Sequence, residues 1–210
     1  MPNWCYNNVT LRHTDPAMIS RAAAAMERGE LLQEFIPCPA ELKDTVSGFM
    51  GKDTPAQTAL EDRQASNIAT YGFPTWYGFC IANWGCKWDV EGQVSSQDDT
   101  TVELSFDSAW SPPIEAYRAL SDLGFEVVAL YYEPGMGFCG QFTTDDDDDC
   151  YTIEGDSDWV VENIPRHIDE AFVISEQMSD FESEEDYYED DSDDQEDDED
   201  DESDDIEEEK

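Results

Sequence analysis

The sequence predicts an α+β fold, a two-layer sandwich with helices packed on a single sheet. Three observations predict it. Stretches with a two-residue apolar period and stretches with a helical period follow one another in the order strand, helix, strand, strand, helix, strand. Two consecutive strands each have one apolar and one polar face, the pattern of a hairpin lying on a core. After Ser175 the apolar residues give way to carboxylates, so the folded part is about one domain in size.

Trp4 to Arg12 alternates, with Cys5, Asn7, Val9 and Leu11 on one face, and reads as the first strand. Thr14-Asp15-Pro16 then starts a helix, proline being tolerated at the first helical position. Met18, Ala22 and Met26 recur four apart beside Ile19 and Ala23, and Gly29 stops the run. Phe35-Ile36-Pro37-Cys38-Pro39 reads as extended, because each proline disfavours helical geometry in the residue before it. The region to about Pro55 reads as loop, Gln57 to Thr70 as a helix, and the aromatic stretch Tyr71 to Phe79 as an insertion packed on the core.

The motif Ile81-Ala82-Asn83-Trp84-Gly85-Cys86-Lys87-Trp88-Asp89 is expected to turn that insertion into the second strand. Alternation from Lys87 places Trp88, Val90, Gly92 and Val94 inward, and Lys87, Asp89, Glu91 and Gln93 outward. After a polar turn at Ser95 to Thr100 it resumes with Val102, Leu104 and Phe106 inward and Glu103, Ser105 and Asp107 outward. Ser111 is the expected N-cap of the next helix, with Pro112 at its first position. Ile114, Tyr117, Leu120 and Leu123 follow at helical spacing, and Gly124 closes the helix. Phe125 to Tyr132 is apolar on both faces, as a central strand should be, and Phe138 to Thr143 adds a further strand.

This order is the ferredoxin-like βαββαβ plan, with a long insertion after the first helix at about residues 40–82 and a disordered acidic C-terminal tail. The expected organisation is a ferredoxin-like domain over 1–142, an acidic extension over 143–175 and the tail over 176–210. The extension includes an apolar docking segment: Trp159, Val160, Val161, Ile164, Ile168, Phe172, Val173 and Ile174. The tail has too few apolar groups to offset its ordering entropy.

The formal net charge is -43, from 53 acids against 10 bases, and 23 of those acids follow Ser175, where Lys210 is the sole base. Such a charge repels nucleic acid and anionic membranes and attracts basic protein surfaces. No apolar run reaches the roughly 20 residues needed to cross a bilayer, and the first residues lack the pattern of a signal peptide. The expected location is therefore the cytoplasm, where Cys5, Cys38, Cys80, Cys86, Cys139 and Cys150 stay reduced. No Cys-x-x-Cys pair occurs and His13 and His167 are the only histidines, so no metal and no cofactor is expected.

Five ordered motifs resemble the YubB-like or Api92-like family of phage and plasmid accessory proteins. They are Met1 to Cys5 with Asn8, Phe35 to Pro39, Asn83 to Trp88, Phe106 to Pro113, and Tyr132 to Gly140. The resemblance covers roughly residues 1–142 and implies the ferredoxin-like fold, a mobile-element origin and a bacterial host cell, without supplying an activity. The family more often has Thr where this chain has Cys86 and Ser108, which argues against an essential thiol at Cys86.

Two sets of residues are candidate sites. Asn83, Trp84, Lys87, Asp107 and Trp110 could gather at one edge of the hairpin as a pocket, although the preferred reading of the same residues is structural, as core, turn and backbone partners. No catalytic set has the spacing of a known one, and neither histidine is placed by the sequence beside a cysteine nucleophile. The second set is acidic and partner-binding: Asp145, Asp146, Asp147, Asp148 and Asp149, with Tyr187, Tyr188, Asp190 and Asp191. An extended acidic chain spaces its charges about 3.3 Å apart, against one per about 1.7 Å of duplex DNA, so the tail resembles a single nucleic-acid strand in charge density. The expectation is a non-enzymatic phage-type accessory protein that binds a basic, nucleic-acid-handling host protein as an acidic nucleic-acid mimic inhibiting host defence, without binding nucleic acid or membrane itself. The alternatives are a small-molecule binding or catalytic domain at the Trp84/Lys87/Asp107/Trp110 edge with the tail as solubiliser, and a scaffold whose insertion docks one partner.

Overall fold

Alternation from Trp4 produces β1 (Trp4–Arg12), which buries Cys5, Asn7, Val9 and Leu11. The computed structural model describes residues 2–193, with side chains to Ser183. In it β1 is a central strand, paired antiparallel with β3 (Thr101–Ala109) on one side and β4 (Glu126–Glu133) on the other. β2 (Glu91–Gln97) pairs with the far edge of β3. β5 (Phe138–Thr143) and β6 (Asp147–Thr152) continue the sheet beyond β4. The resulting order, β2-β3-β1-β4-β5-β6, contains the ferredoxin-like arrangement in its first four strands and extends it by a hairpin.

Two helices cover the inner face. α1 (Pro16–Glu27) starts at Asp15, whose carboxylate accepts from the Ala17 N–H at 2.9 Å, and it buries Ile19, Ala22, Ala23, Ala25 and Met26. α6 (Ile114–Asp122) buries Ala116, Tyr117 and Leu120. Ser111 is not its N-cap, as the sequence suggested: Pro113 occupies that position, and the Ser111 hydroxyl donates to the Gly85 carbonyl at 2.8 Å.

The insertion is helical along much of its length, as α2 (Leu31–Phe35), α3 (Ala40–Lys43), α4 (Pro55–Tyr71) and α5 (Trp76–Trp84). α4 extends the helix expected over Gln57 to Thr70 at both ends, with Thr54 accepting from the Gln57 N–H at 3.1 Å, Pro55 at its first position, and Gly72 left-handed at its end. α5 corrects the reading of the aromatic stretch, whose all-round apolarity hid its helical period. The helix ends on Gly85 (φ +84), where an added Cβ would lie 3.0 Å from the Ile114 backbone nitrogen. α5 and α6 therefore meet at a residue that must be glycine on both conformational and steric grounds.

The strand expected from Lys87 begins only at Glu91, and this reverses two side chains, Trp88 and Asp89. Cys86 is fully buried, Trp88 is 40 % exposed, and Asp89 points inward rather than outward. The Asp89 carboxylate accepts from the N–H groups of Leu32 and Gln33, each at 2.8 Å, and of Val90 at 2.9 Å. It thereby caps α2, which lacks a side-chain cap of its own.

The outer face of the sheet is covered over β4 to β6 by α7 (Ser157–Asn163), α8 (Arg166–Phe172) and α9 (Ile174–Asp193). Val160, Ile164, Ile168 and Ile174 form a second apolar cluster there with Tyr132 and Cys139. Residues 176–183, expected as the start of a disordered tail, belong to α9. Met178 packs on the cluster, and the Glu182 carboxylate accepts from the Ser157 N–H at 2.9 Å and its hydroxyl at 2.7 Å. Residues 194–210 of the expected tail lie outside the described residues.

Asp145 to Asp149 are exposed, as their composition suggested, but only Asp145 and Asp146 lie in a turn. Asp147–Asp149 form half of β6, where each carboxylate has a donor: Arg118 donates to both oxygens of Asp147 at 2.9 and 3.1 Å, the Tyr131 hydroxyl to Asp148 at 2.7 Å, and the Tyr151 hydroxyl to Asp149. Local propensity disfavours Asp in strands, and these partners together with the open edge of β5 override it.

At the centre lies a buried polar knot. Asn7, 1 % exposed, donates to the Cys5 carbonyl at 2.8 Å and to the Ser108 hydroxyl at 2.9 Å, and its amide oxygen accepts from the Tyr117 hydroxyl at 2.9 Å. Ser108 in turn donates to the Ser111 carbonyl at 2.7 Å. Asn7→Ala strands several of these groups in the core and is expected to cost about 3 kcal/mol in chemical denaturation. Tyr117→Phe, which strands only the Asn7 amide oxygen, is expected to cost about 1–2 kcal/mol.

Candidate functional site

The outer face of β2, β3 and β1 is left open by the C-terminal helices, and the sheet register sets its side chains in rows. Glu91 lies opposite Asp107, Asp107 opposite Tyr6, and Tyr6 opposite Tyr132. The next row holds Gln93, Ser105 and Asn8, with the Ser105 hydroxyl donating to the Asn8 amide oxygen at 2.5 Å. Two cavities open on these rows. One, of about 430 Å³, is lined by Trp4, Trp88, Asp89, Glu91 and Asp107. The other, of about 460 Å³, shares Glu91 and Asp107 and reaches along the sheet past Tyr6, Asn8, Gln93 and Ser105 to Phe172.

Aromatic rings border both cavities. Trp4 and Trp88 have ring centroids 6.5 Å apart, inclined at 40°. Tyr6 contacts Tyr132 at 6.4 Å, and Tyr132 contacts Phe172 at 5.9 Å. The Lys87 ammonium sits 4.4 Å from the Trp88 ring centroid, so this ring already engages a cation. Burial holds the Asp107 carboxyl above its ordinary range. Burial also raises that of Asp89, against the lowering effect of its three N–H donors.

The residues of the expected pocket do not gather in one place, although Trp84 and Lys87 line a shared cavity of about 260 Å³ with Trp76 and Trp88. Asn83 donates to the Phe79 carbonyl one turn earlier at 2.8 Å. Trp84 is 4 % exposed, part of the main core, with its indole N–H on the Ile36 carbonyl at 2.9 Å. Lys87 and Trp110 do meet, lining a cavity of about 340 Å³ with Trp76, Tyr77 and Ile81. Asp107 belongs to the outer face with Trp4 and Glu91, which sequence reasoning passed over. The parity of β1 was the available signal for Trp4 and Tyr6: if Cys5 and Asn7 point inward, Trp4 and Tyr6 point outward.

Of the acidic set, Asp145 and Asp146 sit in the turn before β6 and Asp147, Asp148 and Asp149 within it. Tyr187, Tyr188, Asp190 and Asp191 fall within the span of α9, and their side chains lie outside the described residues. Among the described residues no group of three or more His, Cys, Asp and Glu is placed to hold a metal ion. Cys5, Cys38, Cys80, Cys86 and Cys139 are buried and Cys150 is exposed. Burial pushes the Cys80, Cys86 and Cys139 thiols up to about 12, which keeps them neutral and poorly nucleophilic. No helix among the described residues is long and apolar enough to cross a membrane.

Residues 87–176 match the family model described as the ferredoxin-like domain in Api92-like protein. The matched stretch begins at Lys87, runs through α8 and so includes the extension that the sequence reading set apart. Among solved structures, the crystal structure of a protein api92 from Yersinia pseudotuberculosis is similar at 12% identity, over 74% of this chain and 99% of that one, with a TM-score of 0.37. No curated protein matches the chain.

Glu91 and Asp107 face each other directly across two strands, and like charges so placed destabilise a sheet. Asp107→Asn is therefore expected to stabilise the fold at pH 7 by about 0.5 kcal/mol. A carboxyl raised in the folded state favours proton uptake by that state, so the wild type recovers this stability as pH falls. In thermal melts the advantage of the variant should shrink as pH drops through the carboxylate range.

Proposed function

We propose, from the premise that this chain is Api92-like and carries the ferredoxin-like domain of that family at residues 87–176, that it is a non-enzymatic accessory protein of phage type. In this reading it binds a basic, nucleic-acid-handling protein of a bacterial host, presenting carboxylates where that partner would meet phosphates. The observation that carries the proposal is the distribution of charge in the folded chain. Arg12, Arg21, Arg28, Arg118 and Arg166 each lie in an ion pair with a carboxylate. From Ala119 to Glu209 Arg166 is the sole Lys or Arg, and it is paired with Glu170 at 2.7 Å. Five of the ten Lys and Arg residues are thus spent on ion pairs within the molecule, and the outward field is dominated by the excess of acids.

A site that accepts a phosphate chain gains by releasing counterions and is salt-dependent for that reason; an acidic mimic inherits the same dependence. The catalytic or small-molecule alternative at Trp84, Lys87, Asp107 and Trp110 is less well supported, because Trp84 belongs to the core and Asp107 to another cavity.

Capture from bacterial lysate on the immobilised full chain is expected to recover nucleic-acid-binding proteins at about 50 mM salt and to release them well below 1 M. Duplex DNA should elute them in competition. A chain ending at Ser183, which keeps the docked part of α9, is expected to hold them more weakly and with a shallower salt dependence. Recovery of no nucleic-acid-binding protein overturns the proposal, and unchanged capture by the shortened chain overturns the contribution of the tail.

A further inference from the structure

We propose that the cavity between Trp4 and Trp88 is a binding site for the guanidinium of an arginine side chain on a basic protein. The inference rests on the reading that the partner is basic, and it gives that partner a point of attachment on the folded domain rather than on the tail.

Two independent features meet there. The first is aromatic: Trp4 and Trp88 are 44 % and 40 % exposed although each is large and apolar, and their inclined rings wall one side of the cavity. Indole faces attract cations through the ring quadrupole, and the Lys87 ammonium on Trp88 is an instance within the chain itself. Lys87 lines the neighbouring cavities rather than this one, so it leaves the acidic side open.

The second is electrostatic. Glu91 and Asp107 are set opposite each other by the strand register, and no base lines the cavity they share with Asp89. Asp89 is occupied by backbone donors, whereas neither Glu91 nor Asp107 is engaged in an ion pair among the described residues. The register sets two acidic residues opposite each other, an arrangement that like charge disfavours and that a bound cation would relieve. Local conflict of this kind, kept in an otherwise consistent fold, is the signature of a functional position.

The shape of the site favours guanidinium over ammonium. A planar guanidinium can lie against an indole while its N–H groups donate in parallel to carboxylates, whereas an ammonium is a compact, strongly hydrated point charge. The adjoining groove, which shares both carboxylates and continues past Asn8, Gln93 and Ser105, leaves room for the polypeptide that carries the arginine. Its amide and hydroxyl groups suit main-chain donors and acceptors.

The test compares binding of a hexa-arginine and a hexa-lysine peptide to the full chain by calorimetry at about 150 mM salt, where surface charges are screened beyond roughly 8 Å. Three proteins are measured: the wild type, the double variant Glu91→Gln/Asp107→Asn, and Asp62→Asn/Glu162→Gln, which removes the same charge from exposed positions on α4 and α7. The wild type is expected to prefer arginine. The cavity variant is expected to bind the arginine peptide about tenfold more weakly and to lose the preference, while the distal variant changes by less than about twofold. The cavity variant should also melt no lower than the wild type, which separates lost binding from lost folding. Trp88→Phe gives a second reading, with a loss of about two- to fivefold for the arginine peptide. Equal losses in the two double variants, or an arginine preference that survives in the cavity variant, overturn the site. Failure of the wild type to capture any nucleic-acid-binding protein instead overturns the proposed function, and the peptide comparison decides the site in either case.

Discussion

The buried amide of Asn7 is the constraint on which the rest of the structure depends. It lies on a central strand of the sheet and binds partners on three segments, its own strand, β3 through Ser108 and α6 through Tyr117. A wholly apolar core would tolerate a shift of β1 by two residues, since the same face would remain buried. The knot does not, because a shift would leave the amide, the phenol and the hydroxyl without partners at a cost of about 1–3 kcal/mol each. Register in β1 fixes which residues of β3 and β4 oppose it, and hence the rows of the outer face. Burial of Tyr117 raises its phenol well above the ordinary range, which favours the neutral form that donates to Asn7.

A second joint holds the insertion to the sheet. Gly85 lets α5 end against the start of α6, and Asp89, four residues on, caps α2 from across a long loop of chain. Between them Cys86 is fully buried. A stretch dense in tryptophan, cysteine, lysine and aspartate is therefore explained by its geometric duties. Each unusual residue in it serves a turn, a cap or a packing contact, except Trp88 and Lys87, which reach the surface.

Charge divides the molecule in another way. On the inner side and at β6, carboxylates are answered by donors, as Asp147 is by Arg118 and Asp148 by Tyr131. On the open outer face, Glu91 and Asp107 are not. The same composition thus yields paired acids that build the sheet and acids without an ion pair among the described residues that face outward. The distinction rests on what the fold places nearby, not on the acids themselves.

By itself the sequence determined the order of β1, α1, β2, β3, α6, β4 and β5, the two faces of β1, β3 and β4, the ends of α1, and the excess of negative charge. These follow from apolar period, proline and glycine placement and counting, all of which act over a few residues. The helix at Trp76–Trp84, the acidic start of the strand Asp147–Thr152 and the inward turn of Asp89 were decided by tertiary structure. Each depends on a partner far along the chain: the core that accepts an all-round apolar helix, the open edge of β5 with Arg118 and Tyr131, and the uncapped N–H groups of α2. The site divided in the same manner. The parity of β1 was enough to send Trp4 and Tyr6 outward, but bringing Trp88 to Trp4 and Glu91 to Asp107 required the strand register, because side-chain direction is local in a strand whereas adjacency across a sheet is not.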